Sequence, residues 1–342
     1  MFFKGKLHVI NPATATFVMA IGIFLFSAVD AFSVQEIFSN TLTIAYLVCG
    51  IGIYALLILQ IFRRGFLLPF LKNPVNSFVT GSWIAGIATL CDVALKYFPL
   101  FGTLVQIVIL LTSILWGGFV ILYLYQFRQL YKNYQTYTIH GVILLSTVAT
   151  QSIVIAWLQV FPLVPKHVIV GMIGLGVSFY ILGGILIGLR YGRAPWSLVD
   201  DWANTNCIIH GALSISGLAL VFSASLSLSF LSGFWLFVFT LLLFIEGIEV
   251  VRAIKRISRY GWKKGVFIYD ISQWSRNFTF GMFYALTVEL HNELPEYSIL
   301  YNFQEVFLPV WAWVVLGLLL LEIGLWLGTT FQEKKGIGET TM

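Results

Sequence analysis

Ten predominantly apolar runs, most of them about 20 residues long, recur along this chain. That recurrence leaves few ways to fold, because a run of this length matches the hydrocarbon thickness of a bilayer as one α-helix. Of the 342 residues, 59% are hydrophobic and only 10% are charged. A soluble domain carries roughly 25% charged residues. A transmembrane β-barrel would instead show alternating segments of about 10 residues, and no such pattern is visible. The expected fold class is therefore an all-α polytopic membrane protein, with ten transmembrane helices in a single domain over residues 1–342.

The spans are expected at about 12–34, 42–62, 74–94, 101–127, 140–160, 167–190, 202–222, 231–254, 268–290 and 302–328. Short tails, at about 1–11 and 329–342, flank them. The N-terminal stretch before the first run is too short for a signal peptide, and no small-residue cleavage site follows the run, so the first span is expected to be retained. Counting alternate connections, seventeen of the 20 basic residues fall on one side, the side of both tails. Lys and Arg accumulate in cytoplasmic loops, so a cell membrane (plasma or bacterial inner) with both termini cytoplasmic is expected. The formal charge of +5 is then an orientation signal and not the footprint of a nucleic-acid partner. Cys49, Cys91 and Cys207 lie in separate apolar runs and read as small buried hydrophobes.

The spans alternate in character. Odd ones carry hydroxyl, amide and imidazole groups, among them Thr80 in the third, Thr147 and Gln151 in the fifth, and His210 and Ser214 in the seventh. Even ones are almost wholly apolar. A polar group without a partner in hydrocarbon costs several kcal/mol, so the odd helices are expected inside, around a central path, and the even ones outside. In the ninth span Gln273, Asn277, Phe280, Tyr284 and Thr287 share one side at helical spacing. That side is expected to face an aqueous path, with Arg276 at its mouth. Gly22 in the first span stands among the same pore-lining candidates.

For catalysis, the five histidines are scattered and no metal-ligand spacing, phosphate loop or paired acids stand out. Neither an enzyme, a cofactor nor a metal is expected. Glu249 can reach Arg252 at three-residue spacing. Glu322, deep in the tenth span, and His210 are ionisable groups in an apolar setting, which marks functional candidates. No carboxylate-rich span lines the polar helices, so hydroxyl and amide donors with cationic mouths suit small inorganic or organic anions.

The ten spans, with Thr279-Phe280-Gly281-Met282 in the ninth, Val18-Met19-Ala20-Ile21-Gly22 in the first and Asn73-Pro74-Val75 leading into Phe78, resemble the slow-anion-channel and tellurite-resistance/dicarboxylate-transporter family. The resemblance implies five helical hairpins, odd helices lining a pore and even helices sheathing it, usually in a homotrimer set in membrane lipid. It also implies that an aromatic ring of the ninth span occludes the pore, which falls on Phe280, with Gly281 beside it. The implied function is passage of small anions of the chloride, nitrate, sulfite or dicarboxylate class. The chain departs from the pattern where Gly22, Gly86, Gly217 and Gly281 stand in regions often kinked by proline. The alternatives are a proton-coupled carrier of mono- or dicarboxylates, with His210 or Glu322 titrating, and a membrane enzyme or assembly subunit.

Overall fold

A computed structural model describes residues 10–33, 35–193 and 195–339, the side chains of 331–339 excepted. Among the described residues the regular structure is helical throughout, without strands. The helices are α1 (Ala15–Phe26), α2 (Glu36–Ile61), the short α3 (Leu67–Lys72), α4 (Thr80–Tyr97), α5 (Gly102–Lys132) and α6 (Leu145–Val160). They continue with α7 (Lys166–Arg193), α8 (Ile208–Ser223), α9 (Leu228–Gly265), α10 (Gln273–Glu293) and α11 (Ile299–Glu339). Eight helical stretches are long and apolar enough to cross a membrane. The protein is thus an all-α polytopic membrane protein. The two long-run candidates outside that set are α1, only 12 residues long, and α10, whose 21 residues carry the chain's densest polar set.

The polar-spotted helices are the inner ones. The spanning stretches at Asn76–Tyr97, Gly141–Val160 and Asn204–Ser223 are 72%, 89% and 83% buried, whereas each of the other five is at most 28% buried. α1 packs on α4, α4 on α6, α6 on α8, α8 on α10, and α10 returns to α1. Five helices therefore close a ring, with α2, α5, α7, α9 and α11 applied to its outside. Their exposed faces carry residues such as Ile58, Ile114, Phe244 and Val306, as lipid contact requires.

The inner helices share a way of starting. Turns of 3₁₀ helix at Pro12–Thr14, Asn76–Val79, Gly141–Leu144 and Asn204–Cys207 lead into α1, α4, α6 and α8. Asn11 Oδ1 accepts from the Ala13 amide, and Asn73 Oδ1 from the amides of Val75 and Asn76. Asp270 Oδ1 does the same for Ser272 ahead of α10. Short side-chain acceptors of this kind satisfy amides that a helix start leaves orphaned.

Two expected spans differ in form. The first is broken: α1 stops at Ser27, a second 3₁₀ turn covers Ala28–Phe32, and Ser33 takes φ 47°. The basic connection expected after residue 254 is instead largely helical, since α9 runs to Gly265 with an interruption at Gly261, φ 77°. At 1.5 Å per residue the uninterrupted part of α9, up to Tyr260, is about 50 Å long, well beyond a hydrocarbon core of about 30 Å, and beyond Gly261 the chain folds back so that Gly265 lies against Ile257. Its last turns therefore stand in the headgroup region or beyond.

Close approach within the ring rests on small residues. A Cβ on Gly81 would collide with the Leu145 carbonyl of α6, and one on Gly211 with the Thr279 side chain of α10. Small residues let membrane helices pack at such distance. Gly211→Val is expected to destabilise the protein by about 1–3 kcal/mol, as overpacking does. Gly118→Ala, on the exposed side of α5 with open space around it, is expected to leave stability within about 1 kcal/mol of the original. Thermal unfolding midpoints in detergent check both.

Candidate functional site

The polar atoms that an apolar chain can least conceal are gathered at one corner, where α8, α9 and α10 meet near the basic end of the bundle. Glu246, Glu249 and Arg252 repeat every three residues along α9 and so share a face. Arg276 meets them from the first turn of α10. Its Nη2 lies 3.2 Å from Glu249 Oε1 and its Nε 3.2 Å from Glu246 Oε2. The latter is a charge contact without directed hydrogen-bond geometry. Arg252 Nη1 donates to Glu249 Oε1 and to Asn204 Oδ1, each at 2.8 Å. Arg276 Nη1 donates to Gln273 Oε1 at 3.0 Å. Two carboxylates thus face two guanidinium groups, and no side chain of the four is more than 18% exposed.

His210 attaches the network to α8. Its Nε2 is 3.4 Å from Glu246 Oε1, while Nδ1 has no partner among the described residues. The ring edge stands over Phe280, centroids 6.0 Å apart. Phe280 in turn stacks on Trp311 of α11 at 5.0 Å, and Trp311 Nε1 donates to the Phe280 carbonyl. Also on α11, Glu322 is 5% exposed, with Oε1 unpartnered among the described residues. A buried carboxyl left in this condition is costly.

The Glu249–Arg252 pair expected from spacing is present. Arg276 is no isolated mouth charge, because Glu246 and Glu249 neutralise it. Sequence reasoning sent the two glutamates to the basic connection alone and missed Arg276. The available signal was the three-residue repeat on an otherwise apolar helix, together with a single arginine in another span that needed a counter-charge.

Two members of the polar stripe of α10, Phe280 and Thr287, are engaged by the outer layer and not by the expected aqueous path. Arg276, Phe280, Phe283 and Thr287 meet α9 or α11, and Trp235 Nε1 of α9 donates to Thr287 Oγ1. Gln273 serves Arg276, and Asn277 and Tyr284 are buried. The other candidates are divided among different neighbours. Thr80 meets Tyr123 of α5, and Gln151 Nε2 donates to the Ile173 carbonyl of α7. Ser214 Oγ donates to the His210 carbonyl within its own helix, while Thr147 is buried with its hydroxyl unpartnered among the described residues. Gly22 makes room for the Tyr46 hydroxyl of α2 and for Thr89, and Gly281 for Ile23 of α1. These candidates are therefore not brought together around one axis.

What α10 turns to the ring can be read from its neighbours. Trp274 and Gly281 meet α1, and Thr279 and Leu286 meet α8. At roughly 100° per residue, the arc between those two faces holds Ser275 and Glu289 towards the helix ends and, between them, the apolar Phe278, Met282 and Ala285, opposite α9 and α11. These three apolar residues are buried. They belong to one apolar cluster with Met19 and Ile23 of α1, Ala85 of α4, Val148 and Ile155 of α6, and Ala212 and Ile215 of α8. Among the described residues, no three or more His, Cys, Asp or Glu side chains are grouped to hold a metal ion.

No protein-family model matches the chain, and no curated protein matches it either. Stability at the corner is open to direct measurement. Arg276→Met leaves two buried carboxylates facing one guanidinium, and a loss of about 3–5 kcal/mol is expected. Adding Glu246→Gln to that variant is expected to restore part of the loss, and unfolding curves of the two single variants and the double variant provide the coupling.

Proposed function

We propose that the protein is a membrane transport protein in which small anions cross along the axis of the five-helix ring. The observation that carries this reading is the sorting of the chain into a closed ring of polar-spotted helices sheathed by apolar ones. On this reading all ten long helices cross the bilayer, α1 and α10 being held there by the ring although neither would be stable in lipid alone. Both termini then lie on the cytoplasmic side with the basic connections. Chloride, nitrate, sulfite or dicarboxylates fit a path whose midsection carries no charge and whose cytoplasmic approach is basic. The short motifs shared with the slow-anion-channel and dicarboxylate-transporter family support the same class, and bring with them a homotrimer in which each protomer has its own path.

On this reading the conformation is a closed one, its path occupied by members of the apolar cluster that Phe278 shares with Met19, Val148 and Ala212. Hydrophobic constrictions gate channels by excluding water. The phenylalanine assigned to the constriction is Phe278, which takes the ring side of α10, while Phe280 is engaged by Trp311. Phe278→Ala is expected to raise anion flux into proteoliposomes at least several-fold, with Phe280→Ala acting mainly on stability. Higher flux from Phe280→Ala alone would return the gate to that residue, and unchanged flux from both folded variants would remove the aromatic gate.

A proton-coupled carrier is the second reading, favoured by one observation: His210, Glu246 and Glu322, whose Oε1 has no partner among the described residues, lie in or beside elements that form the ring. On that reading an imposed pH gradient drives uphill accumulation of a carboxylate, and Glu322→Gln or His210→Ala abolishes it. Uptake that never exceeds equilibrium, with or without the gradient, leaves the channel.

A further inference from the structure

Beside the charge network, at the connection from α9 to α10, lies a pocket of about 140 Å³. Arg252, Arg256 and Arg276 converge on it, with Gln273 at the first position of α10. Glu249 and Asp270 also line it, so the lining carries one more positive than negative charge. Much of the donor capacity facing it is unspent. Arg252 is 6% exposed, yet its Nε has no partner among the described residues. Arg256 uses Nε on the Gly265 carbonyl, 2.9 Å away, and no hydrogen bond from its two terminal nitrogens is present among the described residues. A guanidinium N–H held out of water without an acceptor is unfavourable, and a fork of such donors matches the oxygens of a phosphate.

The wall of this pocket is also an exposed apolar surface. Val266 and Ile268 line it and are 38% and 49% exposed, and their neighbours Phe267 and Trp262 are 47% and 67% exposed. Lys263 and Lys264 stand in the same segment, just past the break at Gly261. Aromatic and basic residues interleaved at the end of a spanning helix belong at the headgroup level.

We infer that this pocket binds a phosphate group, the headgroup of an anionic phospholipid or free inorganic phosphate, in the fork formed by Arg252 and Arg256, with Arg276 beside it. The apolar flank at Val266, Phe267 and Ile268 is where acyl chains would continue from a bound headgroup. The site is separate from the ring axis, so it holds or falls independently of the transport reading. Its occupation would tie the end of α9 to the start of α10, the helix that carries Arg276 and Phe278.

The intact protein, purified in detergent and stripped of lipid, can be tested by native mass spectrometry with phosphatidylglycerol, phosphatidylcholine and inorganic phosphate as probes. Retention of phosphatidylglycerol over phosphatidylcholine is expected. Arg256→Gln is expected to weaken retention by about tenfold or more, the ratio that loss of a hydrogen bond to a charged group produces. Asp270→Asn keeps the acceptor that caps Ser272 and removes a like charge, so it is expected to tighten binding. That gain cannot arise from misfolding, and it decides the matter if Arg256→Gln fails to fold. Phosphate binding that is sensitive to both substitutions, without lipid preference, assigns the site to the free anion. Neither probe bound, or binding indifferent to Asp270→Asn and to folded Arg256→Gln, overturns the inference.

Discussion

The architecture depends on one requirement, that polar atoms drawn into hydrocarbon find partners there. Many of the partners run between layers, beside others that run around the ring, such as Trp83 Nε1 to the Pro12 carbonyl and His140 to Thr205. Tyr46 and Tyr54 of α2 donate to the carbonyls of Val18 in α1 and Trp83 in α4. Tyr123 of α5 meets Thr80 in α4, and Trp116 of the same helix donates to Thr150 in α6. Glu246 and Trp235 of α9 reach His210 in α8 and Thr287 in α10. Three of the outer helices therefore straddle a seam between two inner ones. Individual bonds of this kind average only about 0.6 kcal/mol in membranes, so their main effect is on specificity: they determine which helix sits against which.

The same requirement explains why the charged corner lies where it does. Four charges inside an apolar bundle are tolerable only as mutually satisfied pairs. Placing the pairs between α9 and α10 leaves the ring interior to Met19, Val148, Ala212, Phe278 and their neighbours. Polar stitching between the layers and the apolar cluster shared by the inner helices are thus two results of one sorting. A path along the axis, on the proposed function, is bounded by side chains that hydrogen bonds do not hold in place. Those chains are free to repack when the helices shift.

Much of this was legible in the residues. Runs of about 20 apolar residues gave the class, and the contrast between spans such as the one holding Asn206, His210 and Ser214 and the one holding Leu241 to Ile245 identified inner and outer helices. What periodicity could not supply was rotation about the helix axis. A stripe of Gln273, Asn277, Phe280, Tyr284 and Thr287 meets the cost of burial equally well by facing water or by facing donors on a neighbouring helix. The choice was made by Trp235 and Trp311, whose indole N–H groups lie in spans that look featureless in hydropathy. Helix length was hidden for a related reason. Basic residues after position 251 signal the end of the membrane and say nothing of the end of the helix, so α9 continues unbroken to Tyr260, before the interruption at Gly261.

The shortness of α1 has a consequence for the making of the protein. Its 12 residues span about 18 Å, short of the hydrocarbon thickness. What completes its surroundings comes from far along the chain. Phe17 packs edge-on against Trp274, Ile23 lies where Gly281 leaves space, and Phe32 packs against Trp313 beyond the break. During synthesis those partners emerge only after more than 200 further residues have been added. Until then α1 can lean on α2 and α4 alone, through Tyr46 and Trp83. α1 is therefore among the last of these elements to reach its final surroundings, and arrival of α10 and α11 is the step that fastens it.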